Sequence, residues 1–193
     1  MSYASTIEES RLAEFGFAFI KSGFECVQHE LVSDFGDQGI EVVGSLPVVM
    51  NPCVVDYIYR DSRQEPFYRA MYCHLTTRAV TAMALYGVDQ NTQETLNDLK
   101  FGLNGKPDLR EKYAKGSVPL SDEEIEAWYK GVHPRQDEAT VLLTQNNVFH
   151  AADTPDEAAH SLRLLSEHNP EFWYGTNLFD IRVQKLAKFL ASI

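Results

Sequence analysis

Apolar positions that recur every three or four residues predict most of the regular structure in this chain. The segment 66–86 carries six such positions on one helical face, namely Tyr68, Tyr72, Leu75, Ala79, Met83 and Tyr86. We therefore predict a central helix over 66–86 that ends at Gly87. Weaker periodicity predicts further helices, at about 6–22, 91–103, 108–115, 122–131, 155–168 and 178–191.

Four of the predicted helix starts carry a capping side chain three residues before a glutamate. In this arrangement the two side chains satisfy backbone N–H groups that the first helical turn leaves free. The pairs are Thr6 with Glu9, Asn91 with Glu94, Ser121 with Glu124, and Thr154 with Glu157. Pro155 also stands at a first helical position, where its missing N–H costs nothing.

Two other stretches of the sequence predict β-strands. Valines cluster between residues 24 and 60, where glycines and prolines interrupt them, and residues 53–59 alternate between two faces. Residues 139–151 predict a hairpin that turns at 145–147, because asparagine tolerates positive φ.

These elements predict an α+β fold, with residues 1–193 as a single globular domain. The predicted domain is rich in helices and has a small antiparallel sheet, drawn from residues of about 40–60 and 140–151. The sheet is expected to contact the central helix.

The charge of the chain restricts its partners. The 193 residues include 28 acidic and 17 basic ones, which gives a formal net charge of −11. Such a field repels phosphate backbones and anionic membranes, so we predict no binding to nucleic acid or to membranes. Three cysteines do not suggest a disulfide framework, and the sequence starts without an export signal. We therefore expect a soluble, cytoplasmic protein.

The signatures of several enzyme classes are missing from the sequence. There is no glycine-rich phosphate loop, no serine nucleophile elbow, no His-Glu-x-x-His and no Cys-x-x-Cys. Four soft ligands exist, Cys26, His29, Cys73 and His74. However, adjacent residues on a helix point about 100° apart, whereas structural zinc sites use paired ligands on turns. We predict neither a metal nor another cofactor.

A cluster of His150, Asp153 and His160 surrounds the start of the predicted helix 155–168. The positive end of the helix dipole explains the acidic residue without any ligand. The two histidines have no such explanation, and they leave a catalytic role open.

Tyrosine and arginine concentrate between residues 57 and 86, a combination that binding surfaces favour. His74 and Arg78 stand four residues apart on the predicted central helix, where both can meet one anionic group. The candidate ligand-binding residues are Arg78, His74, Tyr72, Tyr57 and Arg69. The structural alternative is that the tyrosines only pack, with their hydroxyl groups reaching water.

Two functional hypotheses follow from these patterns. The first is a small acidic interaction protein, of the inhibitor or immunity type, that binds a basic partner protein. It rests on negative charge without a catalytic motif. The alternative is a small enzyme or ligand-binding domain that holds an anionic small molecule through the residues of 57–86. A deep pocket favours the alternative, and a flat acidic face with exposed aromatic side chains favours the first.

Overall fold

A four-stranded antiparallel sheet lies at the centre of the computed structural model, which describes residues 14–65, 68–88, 90–113, 121–134, 148–173 and 180–192. The strands are β1 (Phe15–Ile20), β2 (Ile40–Val48), β3 (Val80–Gly87) and β4 (Phe149–Ala151). Their order across the sheet is β2-β3-β1-β4, and each neighbouring pair is antiparallel. The central strand β1 therefore lies between β3 and the short edge strand β4.

Helices cover both faces of this sheet. In chain order they are α1 (Gln28–Gly36), α2 (Pro52–Ile58), α3 (Tyr68–Thr77), α4 (Thr92–Phe101), α5 (Leu109–Tyr113), α6 (Asp122–Tyr129), α7 (Pro155–His168) and α8 (Ile181–Leu190). The predicted α+β fold with a small antiparallel sheet is confirmed. None of these helices has both the length and the apolar character needed to cross a membrane.

The predicted central helix over 66–86 is wrong in its second half. Helix α3 ends at Thr77, and β3 begins at Val80. All eight residues of β3 are buried, since alternate side chains enter the cores on opposite faces of the sheet. A strand buried on both faces loses the apolar–polar alternation that identifies strands in a sequence. Its apolar run therefore continued the helical spacing of α3 by coincidence.

The predicted strand over 53–59 is also wrong, because this segment forms helix α2. Asn51 begins the helix by accepting a hydrogen bond from the Cys53 N–H at 2.9 Å, and Pro52 occupies the first turn. The buried residues Val54, Val55 and Ile58 then lie on one helical face. Seven residues are too few for their alternation to exclude a helix.

The predicted helix over 6–22 is wrong for the residues that the structure describes, because 15–20 form strand β1. All six of its residues are buried, which again removes the alternation expected of a strand. The remaining part, with the proposed cap at Thr6, lies outside the described residues. In the predicted hairpin of 139–151, strand β4 is present, and the turn at 145–147 lies outside the described residues.

Helix α4 lies close against β1 and holds that strand by a buried side chain. A Cβ atom at Gly16 would lie 2.6 Å from the Leu96 side chain, so this glycine permits the close approach. The Gln93 side chain accepts a hydrogen bond from the Phe17 N–H at 3.1 Å and donates to the Ala152 carbonyl. Helix α4 is thereby fixed to both β1 and the residue that follows β4.

The predicted capping box at Ser121 is confirmed. The Ser121 hydroxyl accepts from the Glu124 N–H at 3.3 Å, and the Glu124 carboxylate accepts from the Ser121 N–H at 2.8 Å. We expect Ser121→Ala to lower the free energy of unfolding by roughly 0.5 to 2 kcal/mol. Chemical denaturation measures this loss, with the exposed Ser33→Ala as a control. A midpoint equal to that of the wild type contradicts the prediction.

Candidate active site

Seven ionisable side chains gather around β4, next to the end of β1 and the start of α7, and we call this group the His150 cluster. Its members are Lys21, Tyr59, Lys100, Arg110, His150, Asp153 and Glu157. They come from distant parts of the chain. Lys21 follows β1 directly, and its backbone N–H donates to the Val148 carbonyl at 3.0 Å, which joins it to the start of β4.

His150 is buried on β4 between two aromatic rings. Only 5% of the residue is exposed. The Phe19 ring stacks against the imidazole with centroids 4.9 Å apart, and the Tyr59 ring lies 5.4 Å away on centroids. Burial lowers the pKa of His150 well below its usual range, and the neighbouring positive charge of Lys100 adds to this effect. The imidazole is therefore neutral at pH 7.

Glu157 places a carboxylate against the His150 ring. Its Oε1 atom lies 3.7 Å from His150 Nε2, and its Oε2 atom accepts a hydrogen bond from the Asp153 N–H at 3.2 Å. The Thr154 hydroxyl caps α7 as predicted, by accepting from the Glu157 N–H at 3.1 Å. Burial raises the pKa of Glu157. At 3.7 Å the two atoms are not hydrogen-bonded, and His150 Nε2 and Glu157 Oε1 each lack a hydrogen-bond partner among the described residues. The carboxylate would have to move closer to hold a proton on Nε2, which would leave the imidazole lone pair on Nδ1.

Lys100 brings a buried ammonium group to the cluster from the last turn of α4. Its Nζ atom donates to the Ala151 carbonyl at 3.0 Å and to the Asp153 carboxylate at 2.7 Å. Burial lowers the pKa of Lys100, although the hydrogen bond to Asp153 opposes that shift. Desolvation alone raises the pKa of Asp153, but the bond and charge of Lys100 outweigh it and the pKa falls. The two groups form an ion pair beside His150.

Two buried hydrogen-bond donors of the cluster, Arg110 Nε and the Tyr59 hydroxyl, have no acceptor among the described residues. Burial lowers the pKa of Arg110 and raises that of Tyr59, and each group counteracts the shift of the other by its charge. Buried donors without an acceptor cost free energy unless another molecule satisfies them. They are available to the oxygen atoms of a ligand.

Three cations thus meet within an acidic chain. Lys21 is fully buried, and its pKa is lowered by burial and then by the positive charges of Arg110 and Lys100. Mutual lowering of this kind means that the three positive charges lie near enough to repel one another. An anion placed among them would reduce this repulsion.

The residues predicted to bind a ligand occupy several positions around α2 and α3. Arg69 and Arg78 are exposed, and Tyr72 is half-buried against the core. The Tyr57 ring is half-buried and lies 3.9 Å from the His160 ring on centroids. Their role as a binding site stays a prediction.

Among the predicted ligand-binding residues, His74 interacts with the His150 cluster, because the positive charge of Lys21 acts on its imidazole. It is buried, and neither ring nitrogen has a hydrogen-bond partner among the described residues. Burial, followed by the charges of Lys21 and Arg78, lowers the pKa of His74 to about 4. The charge of Arg78 acts on His74, and the joint binding of one anion by the two side chains stays a prediction.

The shifted pKa of His74 predicts a loss of stability in acid. The unfolded chain binds a proton near pH 6.5 and the folded chain does so near pH 4, so the free energy of unfolding falls as the pH drops through this window. We expect His74→Leu to reduce the loss between pH 7 and pH 5 by about 2 kcal/mol. Denaturation midpoints at the two pH values test this, with the exposed His29→Leu as control. An unchanged pH dependence in His74→Leu contradicts it.

Sequence reasoning identified His150 and Asp153 but missed the other five members of the cluster. The missed side chains are Lys21, Tyr59, Lys100, Arg110 and Glu157. The sequence contained one signal for a missed residue, Lys21. It directly follows the apolar run of β1, so its side chain has to be buried unless the chain turns away from the sheet at once. Glu157 was recognised only as part of a helix cap, although its carboxylate turns toward Asp153 and His150.

The four soft ligands considered for zinc lie on different elements. Cys26 and His29 line one open depression along α1, and Cys73 is exposed on α3. Within the described ranges, no three or more histidine, cysteine or acidic side chains group as metal ligands. The absence of a metal stays a prediction for elemental measurement.

Comparison with known proteins gives structural likeness alone. No model of a protein family matches the chain, and no similar curated protein is found. An NDP kinase from Pyrobaculum aerophilum is 17% identical, over 78% of this chain and 94% of that chain, with a TM-score of 0.48. A nucleoside diphosphate kinase from Halobacterium salinarum in complex with CDP is 18% identical. The similarity covers 79% of this chain and 86% of that chain, with a TM-score of 0.49.

A third similar structure is the nucleoside diphosphate kinase from Aquifex aeolicus. It is 17% identical, over 79% of this chain and 94% of that chain, with a TM-score of 0.44. Likeness at this level assigns neither a ligand nor a reaction to this chain. The hypothesis of an inhibitor that binds a basic partner protein gains no support from these structures and stays a prediction.

Proposed function

We propose that this chain is an enzyme that binds a phosphate-bearing small molecule at the His150 cluster and transfers a phosphoryl group through His150. The observation that carries the proposal is a neutral, buried imidazole that faces a carboxylate and lies among three cations. A neutral imidazole has a lone pair and is a nucleophile, whereas an imidazolium is not. The proposal develops the alternative of an enzyme that holds an anionic small molecule.

The cations favour a phosphate over other anions. Arg110 and Lys100 offer the two kinds of donor that proteins use for phosphate, a planar guanidinium and a compact ammonium. Together with Lys21 they supply up to three positive charges, which suits the several negative charges of a polyphosphate. The Tyr59 hydroxyl adds a neutral donor that lacks an acceptor in the described structure.

The reaction follows from the placement of these groups. The His150 lone pair attacks the terminal phosphorus of the donor, and a nitrogen–phosphorus bond forms. At the same time the bond from that phosphorus to the bridging oxygen breaks, and the leaving phosphate departs with the electron pair. The Nε2 proton remains with the imidazole, and in this proposal the Glu157 carboxylate moves from 3.7 Å into hydrogen-bond distance to hold it. Transfer to an acceptor oxygen reverses these steps and regenerates neutral His150.

The cluster supplies stabilisation where the charge develops. Fixed positive groups among buried side chains act strongly on the oxygens of a transferring phosphoryl group, and they need no reorganisation during the reaction. Asp153 holds Lys100 in place, so the ammonium is oriented before the ligand arrives.

Calorimetric titration of the whole chain tests the binding step. We expect a nucleoside triphosphate with magnesium and inorganic tripolyphosphate each to bind with a stoichiometry of one. Sulfate at the same concentration serves as the control for a simple dianion. The absence of heat with both polyphosphates at millimolar concentration contradicts the proposal.

A further inference from the structure

The Phe101 ring lies under two cations of the His150 cluster at once. The Lys100 Nζ atom is 4.9 Å from the centroid of the ring, and the Arg110 Cζ atom is 4.7 Å from it. Phe101 is the last residue of α4, and Arg110 belongs to α5. One aromatic side chain thus connects the basic groups of two helices.

Packing does not explain why a phenylalanine stands here. Phe101 is 46% exposed and belongs to neither of the two core clusters. A single exposed apolar side chain is ordinary on a protein surface and implies nothing by itself. The two cations that share its ring are the unusual feature, because like charges repel and do not gather without a reason.

The face of an aromatic ring carries negative potential and attracts both cations. Lys100 has other partners, the Ala151 carbonyl and the Asp153 carboxylate. Arg110 has fewer, since its Nε atom has no acceptor among the described residues. The orientation of the guanidinium therefore depends on the ring more than that of the ammonium does.

We propose that Phe101 is a positioning residue, whose ring holds the Lys100 ammonium and the Arg110 guanidinium together so that both meet one phosphate group. This inference rests on the proposed function and adds a residue outside the His150 cluster to it. Without the ring, the repulsion between the two cations would drive Arg110 toward solvent. A phosphate would then have to bring Lys100 and Arg110 together when it binds, and the work against their repulsion would reduce its affinity.

Substitutions of Phe101 show whether the affinity for phosphate depends on the face of the aromatic ring or only on the size and apolar character of the side chain. We expect Phe101→Leu to weaken the binding of inorganic tripolyphosphate about 5- to 30-fold, because leucine has no negative face. Phe101→Trp should keep the affinity of the wild type within about threefold, since indole binds cations best. Leu103→Ala is the matched control, an equally exposed apolar residue two positions on, and should leave the affinity unchanged.

A ligand-free measurement accompanies the titration. In NMR spectra of the wild type, the ring current of Phe101 should move the side-chain protons of Arg110 upfield, and this shift should vanish in Phe101→Leu. Unfolding midpoints should agree among all variants, because the ring lies outside the core.

The outcomes distinguish this inference from the proposed function. Failure of the wild type to bind tripolyphosphate contradicts the proposed function and this inference together. Equal affinities of the wild type and Phe101→Leu overturn this inference alone. Weak binding by Phe101→Trp, equal to that of Phe101→Leu, also overturns it, as does the absence of an upfield shift at Arg110.

Discussion

His150→Gln is expected to abolish phosphoenzyme formation while preserving the binding of the phosphate donor. Glutamine keeps an N–H group that can face Glu157, but its amide nitrogen has no lone pair available for attack. We expect the amount of phosphoenzyme to fall by roughly 10³-fold or more, to background, and the dissociation constant of the donor to change less than about threefold. The assay follows label from the terminal phosphate of a nucleoside triphosphate into protein.

The chemistry of the label and a second histidine provide the controls. A phosphohistidine survives alkali and is lost in acid, unlike the ester of a serine or threonine. His160→Gln, on the next turn of α7 after Glu157, should be labelled as the wild type is. Normal labelling of His150→Gln would falsify the assignment of His150 as the nucleophile.

Arg110→Gln is expected to weaken the binding of tripolyphosphate about 10- to 100-fold. The variant removes a half-buried guanidinium that would donate charge-assisted hydrogen bonds to the ligand, and each such bond contributes about 1.5 to 3 kcal/mol. Arg110→Lys should lose less affinity, because it keeps the charge without the planar geometry. Calorimetry with inorganic tripolyphosphate measures all three proteins.

Arg78→Gln is the matched control and tests the site predicted on α3. Arg78 is exposed at the end of that helix, so we expect its loss to change the affinity by less than about twofold. The opposite result, in which Arg78→Gln weakens binding and Arg110→Gln does not, would move the binding site to His74 and Arg78.

Local chemistry explains which elements could be predicted from the sequence. Helices α6 and α7 begin at Ser121 and Thr154 caps, and a cap is encoded within four consecutive residues. Strands β1 and β3 were predicted as helices, because each is buried on both faces and therefore uniformly apolar. Only the tertiary contacts of such a segment decide its structure.

The candidate site was only partly predictable for a related reason. His150 and Asp153 lie near each other in the sequence, so they could be recognised as a pair. Lys21, Lys100 and Arg110 reach them from separate elements, and no spacing along the chain indicates that they meet. Contacts between residues some fifty positions apart, such as Lys100 with Asp153, form only once the sheet and its helices have assembled.

Net charge alone does not describe the field at the proposed site. The formal charge of −11 describes the mean field far from the protein, and the absence of nucleic-acid binding that it suggests stays a prediction. Within the His150 cluster the local field is set instead by three cations together with the carboxylates of Asp153 and Glu157. A small phosphate can enter such a field even though the surrounding surface is acidic.

Direct observation of the phosphate on the imidazole tests the central claim. The wild-type chain, labelled with 15N-histidine, is incubated with a nucleoside triphosphate and magnesium, desalted at alkaline pH, and studied by 31P and 15N NMR. Peptide mapping by mass spectrometry then locates the modified residue. We predict one phosphate per chain, bonded to Nδ1 of His150. A phosphate on any other residue, or a chain that stays unmodified while the donor is bound, would contradict phosphoryl transfer through His150.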